Sequence, residues 1–393
     1  MLTYRPLLAA SLCFLCAALL ASQAHAEDSS DFYVAAGAES WVTPNAGGHG
    51  YVLLSYDRPK ALGQATFNAT LNTDTIQLTL DGLRLNPSWT WGGMLKGEAI
   101  LSGLLPDYYK QGVNLPARGF NATFLQGALF AKYGSAPHFL DIELSARQWF
   151  FSRNARTSMA LRLPPDTAVL EPRLRYTYWA LQYDEATAQA HRHYWRVHGL
   201  AFGAQAGVDV RSQTGRWGAR DPTSFVVDQR NVSHRLSAMG TLWARAGAHI
   251  APPVRVQGMV HTTYGHQLDD INRVRAGGMN PYVVPVSGVP WAGLLPDALL
   301  ATEISLHTKV FEDSEIGLMA QSAWATRADL LRLTQQELQD GDALGALVGV
   351  GLFGDLRFDT WQVDTRLGWA LPSEYLEGKP YLSFWLSVGK QVW

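Results

Sequence analysis

From residue 32 onward the chain alternates apolar and polar positions in segment after segment, each broken by Gly, Pro, Asn or Asp. Side chains alternate across an extended strand, so a period of two gives each segment one greasy face and one mixed face. The clearest case is Tyr381 to Trp393, where Leu382, Phe384, Leu386, Val388 and Val392 share one face, interrupted by Lys390. Tyr381, Ser383, Trp385, Ser387, Gly389 and Gln391 share the other. In His138 to Phe151, Leu140, Ile142, Leu144 and Ala146 alternate with Asp141, Glu143, Ser145 and Arg147. Val169 to Tyr183 repeats the pattern, with Leu174, Tyr176, Tyr178 and Ala180 opposite Arg173, Arg175 and Thr177. Charges on every second residue, all facing one way, describe a strand between lipid and a wet lumen.

Sixteen such segments can be counted: Phe32 to Trp41, Tyr51 to Asp57, Gln64 to Leu71, Thr75 to Arg84, Trp89 to Ile100, Phe120 to Tyr133, the two just described, and eight more. Those eight are Tyr194 to Arg211, His234 to Ile250, Val254 to Leu268, Leu299 to Phe311, Ser314 to Ala325, Ala343 to Phe358, Thr360 to Leu371 and Tyr381 to Trp393. They predict an all-β fold, a transmembrane antiparallel barrel of about sixteen strands, with about 23 residues per strand and connection. A closed barrel also accounts for a chain that finishes on an uncapped strand, because the last strand closes against the first and leaves no edge. The longer connections are Gln213 to Val232, Asp269 to Pro296 and Arg327 to Asp342. The last of these holds Leu330, Leu331, Leu333 and Leu338 and is expected to form a short helix capping the barrel.

Composition agrees with this placement. Charged residues are only 17% of the chain, against 14 Trp, 15 Tyr and 15 Phe, as suits a lipid-facing band with aromatic girdles. The net charge of −2 speaks against a nucleic-acid partner. At the N-terminus Arg5, an apolar run from Leu7 to Ser22 and the triplet Ala24-His25-Ala26 predict a cleavable signal peptide over residues 1–26, leaving 27–393 as the barrel. Both cysteines, Cys13 and Cys16, fall inside that signal, so the exported chain is expected to carry no thiol and no disulfide. No later stretch reaches the roughly 18–20 apolar residues of a spanning helix. The expected location is the bacterial outer membrane, with the lipid bilayer and the barrel assembly machinery as partners.

One connection, Ile271 to Gly288, combines clustered Gly and Pro with apolar residues, and so reads as an ordered loop packed against something. Its notable positions are Arg273, Val274, Arg275, Gly277, Gly278, Pro281 and Tyr282. Together with the glycine-alternating strand at Gly345, Gly349 and Gly351 and the terminal strand, the last 120–140 or so residues resemble the outer-membrane assembly and two-partner secretion superfamily. That resemblance implies a sixteen-stranded barrel with a long loop folded back into the lumen, its tip carrying a Val-Arg-Gly-aromatic motif whose arginine contacts the barrel wall. Val274-Arg275 matches the start of the motif, while Ala276-Gly277 replaces Gly-aromatic. The wall motif Asp-x-Gly has no exact copy: Gln321-Ser322-Ala323-Trp324 occupies about its place without an acid, and Glu315-Ile316-Gly317 is a nearby imperfect substitute, which makes Glu315 the candidate partner of the loop. A guanidinium in a barrel needs a carboxylate, because burying it unpaired is costly; otherwise Arg273 and Arg275 are solvent-exposed loop charges. The C-terminal barrel signal comprises Phe384, Leu386, Val388 and Trp393, with one residue more than the family's Gly-Lys-x-aromatic ending. Trp393 therefore falls out of phase with the apolar face, and either a bulge near Gly389 restores it or Trp393 turns to the lumen or rim. The chain is expected to be a short form without the superfamily's N-terminal polypeptide-binding repeats.

The function expected is a loop-plugged pore that translocates or inserts a polypeptide or lipid cargo. The alternatives are a passive porin-type channel tuned by Asp141, Glu143, Arg147, Arg173 and Arg175, and an outer-membrane lipid hydrolase built on a wall histidine, His261 or His266, near Asp269 and Asp270. No Gly-x-Ser-x-Gly occurs, and no enzymatic activity is expected. His191, His193 and His198 lie among arginines rather than carboxylates and are expected to be rim histidines, with no metal and no cofactor.

Overall fold

The computed structural model describes residues 30–42, 47–72, 75–98, 109–110, 113–114, 119–182, 198–219, 232–269, 271–277, 284–287, 289, 295–311, 314–326, 345–372 and 381–392. Its body is a closed antiparallel barrel of sixteen strands, each paired with its sequence neighbours. In chain order these are β1 Asp31–Val42, β2 Gly47–Leu62, β3 Ala65–Asn72, β4 Thr75–Asn86, β5 Trp89–Glu98, β6 Asn121–Ser135, β7 His138–Ser152 and β8 Thr167–Gln182. The second half comprises β9 His198–Arg211, β10 Leu236–Ala251, β11 Val254–His266, β12 Ala298–Phe311, β13 Ser314–Thr326, β14 Gly345–Phe358, β15 Trp361–Ala370 and β16 Tyr381–Gln391. Each of the sixteen segments read from alternation forms one strand, with boundaries moved by a few residues. The proposed signal peptide, the leucines of 327–342, and His191, His193, Asp270 and Trp393 lie outside the described residues.

Two kinds of connection give the barrel two unlike ends. At one end β2–β3, β4–β5, β6–β7, β10–β11, β12–β13 and β14–β15 are each joined by two residues, and β1 begins and β16 finishes there. Segment 183–197 is the longer connection at that end. The opposite end carries the other long connections, among them 99–120, 153–166, 212–235 and 267–297.

The alternation resolves into an outer apolar face and an inner mixed face. On β16, Leu382, Phe384, Leu386, Val388 and Val392 are exposed on the outside, while Tyr381, Ser383, Trp385 and Ser387 are buried inside. On β7, Ile142 and Leu144 face out, and Asp141, Glu143 and Arg147 face in, where they meet β8. A free outer surface carrying this many leucines and valines is what a hydrocarbon solvent requires.

The seam between β1 and β16 runs unbroken from Tyr33↔Gln391 to Val42↔Leu382, so the last strand completes the cylinder. No register shift occurs along β16 on either side, and the bulge expected near Gly389 is absent. The phase is held instead by small and large residues interlocking inside. The Tyr33 ring covers Gly389, where any Cβ would collide with it, and Tyr51 covers Gly37 in the same way. Tyr51 stacks on Trp385 at 4.7 Å and donates its hydroxyl to Ser387, spanning β1 from its two neighbours. Lys390, on the outer face, lies over the Trp361 ring at 5.1 Å, an amphipathic arrangement suited to a membrane boundary.

Candidate functional site

The inner wall and the loop between β11 and β12 form the site. Leaving β11, the chain folds inward at Leu268 and buries Asp269, which is only 1% exposed. A buried carboxylate needs its full set of donors. Arg211, at the end of β9 and 3% exposed, supplies a two-pronged contact with its Nη1 at 2.6 Å and Nη2 at 3.1 Å. Ser233 Oγ donates at 2.8 Å, Trp217 Nε1 at 3.3 Å and the Ile271 amide at 3.2 Å. One side chain of the loop thus ties its own connection to the end of β9 and to the β9–β10 connection at the long-loop end. The fork-to-carboxylate geometry is the strong, directional form of such a pair.

The next residues continue the attachment. Asn272 donates through Nδ2 to Ser237 at 2.8 Å and to Asp209 at 3.3 Å, both on the wall. Arg273 donates through Nε to Asp297 at 2.7 Å and through Nη2 to its other oxygen at 3.3 Å, joining the two ends of the loop. A cavity of about 180 Å³ remains between Asn272 and Arg273 and the wall residues Arg147, Glu171 and Asp209.

Beyond Arg273 the loop reaches a different part of the wall. Ala276 bridges Val284, and the Gly277 amide donates to the Val284 carbonyl at 3.0 Å. Gly277 has φ 114°, a conformation open to glycine at no steric cost. Ala276, Val286 and Val289 are buried with Leu299, Ala301, Ala323, Leu347, Ala370 and Tyr381, and Val274 packs against that cluster. Ser287 sends both its amide (2.9 Å) and its hydroxyl (2.5 Å) to Gln321 Oε1, and Gln321 Nε2 donates to Glu303 at 2.7 Å. Gly349 makes room for this contact, since a Cβ built there would lie 2.6 Å from the Ser287 Cβ.

These attachments sit on different parts of the wall. Ile271 belongs to a cluster with Phe120, Phe124, Trp149, Val169 and Trp217, carried by β6, β7, β8 and their loops. Ala276 to Val289 belong to the cluster on β12 to β16. The polar attachments fall on β9 and β10 to one side and on β12 and β13 to the other, so that Arg211 and Gln321 stand four places apart in the ring of sixteen. The described parts of the loop are thus held to the inner wall on either side of the loop's own root.

Sequence-predicted residues fall unevenly on this site. Arg273, Val274, Arg275, Ala276 and Gly277 all lie in the inward-folded segment, with Arg273 buried and Arg275 half-buried. Gly278, Pro281 and Tyr282 lie outside the described residues. Glu315, the candidate partner, accepts from Arg255 Nη2 at 2.5 Å and lies 3.2 Å from His307 Nδ1, near the short-turn end of β13. The carboxylates that hold the loop are Asp269 and Asp297. A sequence cue existed, because these two acids bracket the Gly- and Pro-rich connection; Arg211 and its register could not be read.

The expected lumen charges of β7 and β8 form a ladder. Arg147 pairs with Glu171 at 3.2 Å, Arg173 with Glu143 at 3.8 Å and Arg175 with Asp141 at 3.9 Å. Glu171, which also holds Arg173, is a member that sequence reading missed. Of the groups expected at a wall histidine, His261 Nε2 lies 3.0 Å from Thr263 Oγ1, and Asp269 is committed to Arg211. His198 sits beside His249 with ring centroids 5.0 Å apart, and no metal-binding group occurs among the described residues.

No family model and no curated protein sequence matches the chain. Many solved structures match its fold, among them two at TM-scores above 0.5. BamA from Haemophilus ducreyi lacking POTRA domains 1–3 superposes with a TM-score of 0.61 at 10% identity, covering 93% of this chain and 70% of that one. CdiB from Acinetobacter baumannii gives 0.54 at 9% identity, covering 91% of this chain and 60% of that one. Both are barrels of the superfamily that the loop and terminal strand resemble, and at these identities the likeness is one of fold. The chain is a closed sixteen-stranded barrel of the outer-membrane type, with the fold of the assembly and two-partner secretion barrels.

Proposed function

We propose that this protein is an outer-membrane pore closed by its β11–β12 loop, which passes or inserts a polypeptide or lipid when the loop withdraws. The observation that carries the reading is the double attachment of the loop, through Asp269 to Arg211 on one wall and through Ser287 to Gln321 on the other. A loop that only trimmed the rim would not need a fully buried carboxylate at its root. The buried pairs give a bistable element: docked with the charges paired, or withdrawn with them hydrated. On this reading the short turns face the periplasm, the long connections face outward, and cargo arrives from the periplasmic side.

The fold likeness to BamA and CdiB supports the class of activity and not a cargo. A second reading, a passive channel, draws on the ladder of Arg147, Arg173 and Arg175 with their acids, which leaves one side of the lumen polar and partly hydrated. Conductance of the purified protein in planar bilayers separates the two. Small or flickering conductance is expected of the plugged pore. A large, steady, ohmic conductance contradicts the plug and favours the channel.

A further inference from the structure

The lumen wall near the short-turn end holds a set of side chains that the pore reading does not use. Ser305 and His307 are two apart on β12 and so face the same way, inward. Ser305 Oγ lies 2.9 Å from His307 Nε2. On the other ring nitrogen, His307 Nδ1 lies 3.2 Å from Glu315 Oε2, on β13. The carboxylate is fixed in turn by Arg255 Nη2 at 2.5 Å, an atom that also lies 3.4 Å from Nδ1. Gln257, directly across the ladder from Ser305, brings its side-chain amide to 2.6 Å from Nε2.

We propose that Ser305, His307 and Glu315 form a serine-hydrolase site for acyl esters, opening on the lumen. A hydroxyl on one imidazole nitrogen and a carboxylate on the other is the arrangement that makes serine a nucleophile, and it is recognised by geometry rather than by sequence order or fold. Glu315 holds the tautomer with hydrogen on Nδ1, which leaves Nε2 a base. Ser305 Oγ attacks the ester carbonyl and forms a C–O bond, and its proton passes to His307 Nε2. Collapse breaks the bond to the alkoxide, which leaves as the alcohol with that proton. Water, deprotonated by the same nitrogen, then attacks the acyl-serine; the acid leaves and Ser305 regains its proton. The chemistry is redox-neutral and requires no group beyond water. Gln257, whose Nε2 lies 2.6 Å from His307 Nε2, must swing off that nitrogen before it takes the serine proton.

The substrate class follows from the surroundings. Phe353 lies against the imidazole, ring centroids 4.5 Å apart, and belongs to a lumen cluster with Tyr33, Leu53, Tyr51, Met319 and Trp385. Such an apolar surface inside a barrel suits an acyl chain. His307 is 0% and Ser305 3% exposed, so the site is shut as seen, with Phe353 as its cover. His307 stands four residues from the end of β12, about 14 Å inside the mouth at the short-turn end.

The proposal goes beyond the plugged pore and is tested separately from it. Purified protein in detergent is treated with a tagged fluorophosphonate, and hydrolysis of p-nitrophenyl octanoate is followed in parallel. One label per chain on Ser305 is expected, lost in Ser305→Ala and reduced on the order of 10³-fold or more in His307→Gln. Phe353→Leu, which keeps most of the packing, should speed labelling if the ring is the cover. Bilayer conductance should be unchanged in Ser305→Ala, so failure here and failure of the pore reading are distinguishable. Should neither the wild type nor Phe353→Leu take label at Ser305, while both migrate as folded barrels on an unheated gel, the set is a structural hydrogen-bond network and the proposal is overturned.

Discussion

Asp269→Ala is expected to open the pore. Removing this carboxylate leaves Arg211, 3% exposed, with an uncompensated charge beside Trp217 and Ser233, which lose their acceptor together. Breaking one side of a buried ion pair costs about 3–5 kcal/mol. That cost falls on the docked loop, because the withdrawn state hydrates Arg211. The ratio of open to closed pores should then rise roughly 10²–10⁴-fold, seen in planar bilayers as long openings replacing brief ones. Asp269→Asn, which retains an acceptor oxygen for Ser233 and Trp217, should lie between the two. The double variant Arg211→Ala with Asp269→Ala should cost less than the sum of the singles, since no charge is stranded. An Asp269→Ala pore as quiet as the wild type would mean that this pair does not hold the loop.

The second large effect is expected at the seam. Trp385 is buried inside β16 and stacks on Tyr51 of β2, rings nearly parallel at 10°, across the Gly37 backbone of β1. This clasp covers the strand pair that closes the barrel. Replacing a buried tryptophan by alanine costs about 3–5 kcal/mol through lost burial and the cavity left behind. In Trp385→Ala the loss also frees Tyr51 from its stacking partner. Urea unfolding in detergent, followed by the heat-dependent gel shift of folded barrels, should show a loss in that range. Lys390→Ala, at the exposed end of the same strand, should change stability by less than about 1 kcal/mol. A Trp385→Ala loss as small as that would remove the clasp from the account of closure.

The fold was legible because a barrel between lipid and water imposes its period of two on nearly every residue. Leu382 to Val388 and Asp141 to Arg147 carry that imprint without any tertiary information. The inward loop was legible only as a tendency: apolar residues between Gly and Pro must pack somewhere, and in a barrel the lumen is the available place. Its partners were not legible. Asp269 meets Arg211 across 58 residues, and Arg273 meets Asp297 across 24, contacts that depend on strand register and on which wall a loop crosses. Nor were the wall contacts of Glu315 legible; it meets Arg255 and His307 near the short-turn end of its strand. The same blindness hid the Ser305, His307 and Glu315 set. Two of its members are adjacent in pattern, but the third arrives through the β12–β13 turn, and no local motif marks it.

The central claim is that the loop lies inside the lumen, against β14. The most direct measurement is oxidative cross-linking of Ser287→Cys with Gly349→Cys in membranes. The native cysteines, at 13 and 16, are remote in sequence from this pair. A Cβ at 349 falls 2.6 Å from that of Ser287, so a shift of about 1 Å brings the two thiols to disulfide distance. The account predicts near-complete cross-linking under mild oxidant, protection of both thiols from an impermeant maleimide beforehand, and a pore that stays closed until reductant is added. Free reaction of Ser287→Cys with the maleimide, with no cross-link to Gly349→Cys, would put the loop over the rim and contradict it.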